Sequence, residues 1–188
     1  MKKIILGATG SIGSSLAKKL VESGDQVHLV GREEASLSSL ASELNSSFTT
    51  CDVIEENFCE KILNDLKDEP IDGLAFCIGS IDLKPLKLTK KSDFMQSFNL
   101  NLVSATEIIR SLTDNLKKNK GSIVLFSTVA VKQGFPNHAI VSSAKGAIEG
   151  LTLALAAELA PNVRVNCIAP SLTNSKMSNF LLKNEKVA

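Results

Sequence analysis

The sequence predicts an α/β fold, a doubly wound parallel sheet with helices packed on both of its faces. Six short apolar runs alternate with longer amphipathic segments, and the connections between them are short. This alternation is typical of βα units that build a parallel sheet through right-handed crossovers. A chain of 188 residues fits one such domain and leaves little room for a second. We therefore expect a single three-layer α/β/α domain spanning residues 1–188.

The strands are predicted from short apolar runs that are bounded by polar or turn-forming residues. They cover residues 3–6, 26–30, 48–50, 71–78, 121–127 and 163–168. The run at 71–78 is almost continuously apolar, which favours a central strand that is covered on both faces.

The helices are predicted from apolar residues that recur at helical spacing. The first covers 11–22, where Ile12, Leu16 and Leu20 lie on one stripe and Gly24 ends the helix. Further helices are predicted over 34–44, 55–66, 92–116 (as one helix or two) and 138–159. The tail at 171–188 is weakly patterned, and a short helix, a flap over the substrate and a disordered end all remain open.

Composition narrows the classes of function. The formal net charge is +1, so the sequence predicts neither a nucleic-acid partner nor attraction to an acidic membrane. The 4 cysteines form no C-x-x-C pair and only 2 histidines are present, so no metal site is predicted. We find no signal-peptide pattern and no apolar run long enough to span a bilayer. These features predict a cytoplasmic protein with reduced thiols.

A glycine-rich turn joins the first predicted strand to the first helix and reads Gly7-Ala8-Thr9-Gly10-Ser11-Ile12-Gly13. Its glycines permit a tight turn, a close approach to a pyrophosphate and close packing of helix on strand. The helix N-terminus adds partial positive charge. The pattern predicts a Rossmann-type nucleotide site, the alternative being a tight turn that binds nothing. Its predicted cofactor contacts are Gly7, Thr9, Gly10, Ser11, Ile12 and Gly13.

The residues after the second strand indicate which dinucleotide binds. An acidic side chain there accepts hydrogen bonds from the ribose of NAD, whereas a basic one pairs with the extra phosphate of NADP. The chain has Gly31-Arg32 at this point and no acid before Glu33. Arg32 therefore favours NADP(H) over NAD(H), unless it is only a solvated residue at a helix start.

Several segments, in order along the chain, resemble the short-chain dehydrogenase/reductase family, and the resemblance runs from Lys3 to about Met177. The turn is similar to the family pattern Thr-Gly-x-x-x-Gly-x-Gly. Gly7 and Gly13 match its outer glycines, whereas Leu6 and Ser11 stand for the threonine and the middle glycine. The resemblance implies a single NAD(P)-binding Rossmann domain and an oxidoreductase that acts on a small carbonyl or alcohol substrate.

The resemblance also implies further cofactor contacts. Asp52 and Val53 resemble the residues that meet the adenine ring, and Gly79 is the remaining residue of the family's Asn-Asn-Ala-Gly strand end. Pro170 matches the proline turn after the sixth strand, and Ser175 stands where a threonine often contacts the nicotinamide carboxamide.

Three residues resemble the family's catalytic group. Thr128 falls at the position of the catalytic serine and retains a hydroxyl, Lys145 matches the catalytic lysine, and Asn101 matches the asparagine that kinks a helix. In the family a tyrosine four residues before the lysine donates the proton. This chain has Val141 at that position and contains 0 tyrosines.

The departures from the pattern leave two functions open. One is an NADP(H)-dependent oxidoreductase in which His138, or a water held by Ser142 or Ser143, replaces the tyrosine, or in which the substrate needs hydride but no acid. The other is a non-catalytic NADP(H)-binding protein, acting as a sensor or partner subunit. The family's last helix and strand have no counterpart before Ala188, and Ile78 stands where a small residue meets the cofactor. The resemblance further implies a homodimer or homotetramer formed through the helices at 92–116 and 138–159.

Overall fold

A computed structural model of the chain describes residues 1–175, 178 and 179. The strands are β1 (Lys2–Leu6), β2 (Gln26–Gly31), β3 (Ser47–Thr50), β4 (Ile71–Phe76), β5 (Ser122–Phe126) and β6 (Arg164–Ile168). All neighbouring strands are parallel, in the order β3-β2-β1-β4-β5-β6. The doubly wound parallel sheet of a Rossmann-type α/β fold is therefore confirmed.

The helices fill the connections between the strands. They are α1 (Ser11–Glu22), α2 (Glu34–Glu43), α3 (Phe58–Leu66), α4 (Lys91–Phe98), α5 (Ser104–Lys118), α6 (Ala130–Gln133) and α7 (Ala139–Leu159). A 3-10 turn at Leu86–Leu88 and a π-helical segment at Asn99–Val103 complete the set. The sequence predicted α1 with these bounds but missed α6 and the 3-10 turn, since both are too short to show periodicity.

Two predicted helices differ from the structure for local reasons. The helix predicted from residue 55 begins at Phe58, because the Glu55 amide donates to the Asp52 carbonyl oxygen at 3.0 Å and forms a turn first. The helix predicted over 92–116 is divided into α4 and α5 by the π-helical segment. The strand predicted over 71–78 ends at Phe76, and the Cys77 amide still donates to the Leu6 carbonyl oxygen of β1 at 2.9 Å.

The core lies on both faces of the sheet, and β1 shows how the sequence builds it. Ile4 and Leu6 point to one face, where they join the cluster that contains Phe58 of α3. Ile5 points to the other face and joins the cluster that contains Leu37 of α2. Alternate side chains of a strand project to opposite faces. The central strand is therefore buried between two helical layers.

The strand order places a crevice beside the glycine-rich turn. β1 pairs with β2 on one side and with β4 on the other, so the chain runs outward from β1 through β2 to β3 and then crosses back to β4 on the opposite side of β1. Ligands of open α/β sheets bind outside the carboxyl ends of the strands at such a switch point. The Gly7 turn lies directly at this end of β1.

Helix α7 is 21 residues long and, by length and composition alone, apolar enough to cross a membrane. The expectation that no run reaches this length is therefore wrong for α7. Of the apolar 18-residue stretch within this helix, 33% is buried. The helix packs against β5, β6 and α6. Core helices of globular domains pass the same test, so one such helix is weak evidence for a membrane span.

Candidate cofactor and active site

The glycine-rich turn leaves little or no room for a side chain at Gly7 and Gly13. Gly7 has φ +76°, and a Cβ at this position would lie 3.0 Å from the Cys77 carbonyl oxygen. A Cβ on Gly13 would collide with the Gly7 carbonyl oxygen. The Gly7 amide donates to the Val30 carbonyl oxygen at 2.9 Å. The turn therefore brings the start of α1 close against the carboxyl ends of β1, β2 and β4.

The start of α1 presents groups that suit an anion. Thr9, Gly10 and Ser11 are exposed, and the N-cap residue Gly10 supplies no side-chain cap. The first turn of α1 carries no acidic side chain. Unpaired amides and the helix dipole favour negative charge at such a terminus. This end of the helix can therefore hold a phosphate group.

The structure brings Arg32 and Asp52 together. Arg32 Nη1 lies 3.4 Å from Asp52 Oδ2, and the arginine side chain is 75% exposed. An exposed pair of this kind contributes at most about 1 kcal/mol, so the guanidinium is free to turn toward a ligand. Asp52 Oδ1 also accepts a hydrogen bond from the Ile54 amide at 3.2 Å. Val53 is buried in the core, so any contact with an adenine ring has to come from its backbone.

Lys145 and Asn101 converge on Gly79. A Cβ on Gly79 would lie 3.1 Å from Lys145 Nζ and 3.3 Å from Asn101 Oδ1. Lys145 Nζ donates to the Ile78 carbonyl oxygen at 3.4 Å. Asn101 Oδ1 is buried and has no hydrogen-bond partner among the residues that the structure describes. A buried acceptor without a hydrogen bond destabilises the fold unless a donor from a ligand or a water molecule binds to it. Glycine at 79 therefore leaves open the space in which these two polar groups meet.

Burial sets the chemistry of Lys145. Its side chain is almost fully enclosed, and desolvation lowers the pKa of its ammonium group from 10.5 to about 8. Burial disfavours the charged form because the low-dielectric interior solvates it poorly. The amine therefore changes protonation near pH 8.

The π-helical segment positions Asn101 toward this space. Asn101 Nδ2 donates to the Ser97 carbonyl oxygen at 2.8 Å, inside the join between α4 and α5. A side chain that bonds a carbonyl of the preceding turn competes with the helical ladder and widens it. The same bond orients the amide and leaves Oδ1 on the side of Gly79.

Two adjacent hydroxyl groups follow β5, and they differ in role. Ser127 Oγ donates to Glu149 Oε1 at 2.7 Å, so this hydroxyl is engaged with α7. Thr128 Oγ1 accepts from the Ala130 amide at 3.3 Å and keeps its proton for another acceptor. Thr128 is therefore the hydroxyl that is available to a ligand. Sequence reasoning missed Glu149, since only the fold places it beside β5.

Val141 lies one helical turn before Lys145 and is buried at 6% exposure. Its side chain has no proton to donate, and the chain contains 0 tyrosines. The group that protonates an alkoxide in the resembled family is therefore absent from its usual position.

The remaining predicted contacts lie after β6. The Pro170 carbonyl oxygen accepts from the Val129 amide at 3.1 Å, which ties the proline turn to the end of β5. Ser175 Oγ lies 2.8 Å from Ser178 Oγ, so this hydroxyl is part of a local network. Met177, with 176 and 180–188 of the predicted tail, lies outside the described residues.

A pocket of about 340 Å³ lies between the loop after β4 and the residues that connect α6 to α7. Its walls include Lys84, Leu86, Phe135, His138 and Ser142. The Lys84 amide donates to the Asn137 carbonyl oxygen at 3.1 Å and joins the two loops. Sequence reasoning named His138 and Ser142 but did not place them in a common pocket.

The thiols do not form a reactive centre in the described part of the chain. Cys51, Cys59, Cys77 and Cys167 are all free. Burial raises the pKa of Cys77 to about 12 and that of Cys51 to about 11, which keeps both protonated and unreactive. Among the described residues, no group of three or more His, Cys, Asp or Glu side chains is placed to hold a metal ion.

The sheet order and the glycine turn at its switch point define a dinucleotide-binding α/β domain. A family model described as enoyl-(acyl carrier protein) reductase matches residues 7–188. The chain belongs to the short-chain dehydrogenase/reductase family, whose members are oxidoreductases that bind a nicotinamide cofactor.

The chain is similar to L-xylulose reductase from Bos taurus, with 31% identity over 180 residues, 94% of this chain and 73% of that protein. It spans between 61% and 80% of the length of the curated relatives considered. A solved apo SCOR enzyme from Clostridium thermocellum is 30% identical with a TM-score of 0.83, covering 92% of this chain and 72% of that one. A gluconate 5-dehydrogenase from Burkholderia cenocepacia J2315, solved with NADP and tartrate, has a TM-score of 0.91 at 21% identity. The alignment covers 99% of this chain and 76% of that enzyme, and it shows the shared fold alone.

Proposed function

We propose that this protein transfers hydride between NADP(H) and a small carbonyl or alcohol substrate. The observation that carries the proposal is the convergence of Lys145 Nζ and Asn101 Oδ1 on Gly79. This space lies beside the switch point of the sheet, and Asn101 Oδ1 lacks a partner there within the described residues. Buried polar groups left in this state at a crevice are typical of a ligand site.

The residues present fit a nicotinamide dinucleotide. The start of α1 suits the pyrophosphate, and Asp52 together with Val53 lies beside the proposed adenosine end. The Lys145 ammonium suits a ribose hydroxyl, and the Thr128 hydroxyl suits the polarisation of a substrate carbonyl. Pro170 and Ser175 belong to the same end of the sheet. The cofactor, when bound, supplies the hydride.

Preference for NADP(H) rests on Arg32. Its exposed guanidinium follows β2, and the surface pair with Asp52 is too weak to hold it. A guanidinium binds a phosphate through charge-assisted bonds that the NAD ribose does not offer.

Turnover of NADPH with a panel of aldehydes and ketones tests the proposal. We expect consumption of NADPH by the wild type and a loss of about 100-fold or more in kcat/KM for Lys145→Met, which keeps the length but removes the charge. Exposed Lys117 on α5 supplies the matched control, Lys117→Met, which should leave the rate unchanged. Equal rates for wild type and Lys145→Met would overturn the assigned role of Lys145.

A second function is favoured by Val141, the valine at the tyrosine position. A non-catalytic NADP(H)-binding protein, acting as a sensor or partner subunit, needs the cofactor site but no proton donor. It predicts NADPH binding without turnover on any carbonyl compound, and binding that survives in the presence of those compounds.

We further propose a cytoplasmic homodimer or homotetramer that has a small-molecule substrate and no nucleic-acid or membrane partner. Support comes from apolar side chains on the outer faces of α7 and the π-helical segment, where Leu153 is 75% and Val103 is 43% exposed. Exposed apolar surface of this kind favours association. Light scattering coupled to gel filtration should give twice or four times the monomer mass, and Leu153→Glu should lower it. A monomeric wild type would contradict the proposal.

A further inference from the structure

We propose that the pocket beside α6 and α7 binds a neutral carbonyl or alcohol with an apolar body, and that His138 Nε2 exchanges the reaction's proton with the substrate oxygen. The inference rests on the oxidoreductase function proposed above. It assigns the proton transfer that position 141 cannot perform.

The first argument is the position of His138 at the N-terminus of α7. His138 is the N-cap residue of this helix and lies three positions before Val141 in the sequence. Helical side chains lean toward the helix N-terminus, so a long side chain at 141 would reach toward the N-cap. His138 therefore places an imidazole at the end of the helix toward which the missing phenol would lean.

The second argument is the hydrogen bond that fixes the imidazole. His138 Nδ1 lies 2.8 Å from the Pro136 carbonyl oxygen, which can only accept, so Nδ1 carries the proton. The ring is further packed against Phe135, with centroids 5.4 Å apart. In the neutral ring Nε2 is then an acceptor, and in the protonated ring it is a donor. This arrangement suits a group that takes a proton in one direction of a reaction and returns it in the other.

The third argument is the charge of the pocket, which indicates the class of substrate. Lys84 Nζ lies 3.0 Å from Asp93 Oδ1 and 3.3 Å from Asp82 Oδ2. Two carboxylates therefore neutralise the pocket's lysine, and little positive charge is left for an anionic substrate. Leu86 and Phe135 supply apolar walls and are 71% and 45% exposed. At about 340 Å³ the cavity has the size of a small-molecule site.

The fourth argument is that one residue links the pocket to Thr128. The pocket wall includes Ala130, whose amide donates to Thr128 Oγ1 at 3.3 Å. Ser142 Oγ donates to the Ala130 carbonyl oxygen at 3.3 Å and joins α7 to the same wall. The pocket wall and the hydroxyl that is available to polarise a carbonyl are therefore connected through Ala130.

The proton balance is simple. During oxidation, the carbinol carbon gives up a hydride to NADP⁺ and the hydroxyl proton passes to His138 Nε2, which leaves a ketone and an imidazolium. During reduction, the carbonyl carbon gains the hydride and Nε2 returns the proton to the oxygen.

Fluorine NMR with para-fluoroacetophenone, in the presence of NADP⁺ so that the ketone is not reduced, tests the pocket. We expect line broadening of this neutral probe and none of the anionic para-fluorobenzoate. Leu86→Ser should weaken the broadening, whereas Leu63→Ser, an exposed leucine of α3, should not. Absence of broadening by the wild type, or equal broadening of both probes, would overturn the assigned substrate class.

NADPH oxidation with the same ketone tests the proton transfer. His138→Gln and His138→Ala should both lower kcat by about 100-fold or more. KM and the affinity for NADPH should stay close to the wild-type values. Unchanged kcat in His138→Gln, or a wild type that binds the ketone without reducing it, would overturn the role of His138. A titration of the same samples with NADPH distinguishes this failure from loss of the cofactor site. Only loss of NADPH binding would contradict the proposed function itself.

Discussion

Arg32 is the single residue on which the proposed preference for NADP(H) over NAD(H) depends. Its guanidinium follows β2, and its one ion pair within the described chain is a surface contact of 3.4 Å to Asp52. Such a contact is screened by solvent and rearranges easily. A phosphate at this point gains a charge-assisted bond, whereas a ribose hydroxyl gains little.

Arg32→Ala should therefore weaken NADPH binding and spare NADH. A hydrogen bond to a charged group contributes about 1.5–3 kcal/mol, which corresponds to roughly a 10- to 100-fold rise in the Kd for NADPH. The measurement is the ratio of the two dissociation constants in Arg32→Ala, with Arg164→Ala on β6 as the matched control. If the ratio of the NADPH and NADH dissociation constants is the same in Arg32→Ala as in the wild type, the proposed preference for NADP(H) is contradicted.

At the scale of elements, a buried polar chain ties the edge of the sheet together. His28 of β2 is fully buried, with Nδ1 2.9 Å from Ser47 Oγ and Nε2 2.9 Å from Thr49 Oγ1 of β3. Thr49 Oγ1 donates in turn to Asp65 Oδ2 of α3 at 2.5 Å. Burial, followed by the charge of Lys2, lowers the pKa of His28 from 6.5 to about 4.

This depressed pKa predicts a pH dependence of folding stability. Above pH 6.5 the His28 imidazole is neutral in both the folded and the unfolded chain, so its contribution to folding stability is fully present. As the pH falls from 6.5 toward 4, the unfolded chain binds a proton at His28 that the folded chain does not, and this stabilises the unfolded chain. We expect the free energy of unfolding to fall by up to about 3 kcal/mol across this window. Urea denaturation measures it. His28→Gln should flatten the dependence. A wild type whose stability is constant over the window would contradict this account.

The elements also show where sequence reasoning ends. Apolar periodicity was sufficient to predict the six strands and α1, because each follows one local pattern. It did not predict the division of residues 92–116, which arises from the bond between Asn101 Nδ2 and the Ser97 carbonyl oxygen. Glu149 was missed for a similar reason, since its partner Ser127 lies 22 positions away in sequence. The motifs named Lys145 and Asn101, but only the fold brings both to Gly79.

At the scale of the whole molecule, every predicted cofactor residue from Gly7 to Ser175 lies within the described part of the chain. The sequence was sufficient for the fold class, since alternating βα units leave few topologies. The pocket that holds His138 was not predictable, because it forms only where two loops are joined by the bond from Lys84 to Asn137.

The most direct test of the central claim is a titration of the purified protein with NADPH and, separately, with NADH. The chain has 0 tryptophans, so the fluorescence of the bound nicotinamide can be followed against a low protein background. We predict saturable enhancement with NADPH and at least about 10-fold weaker binding of NADH. No binding of either dinucleotide would contradict the cofactor site at the Gly7 turn, and with it the proposed function.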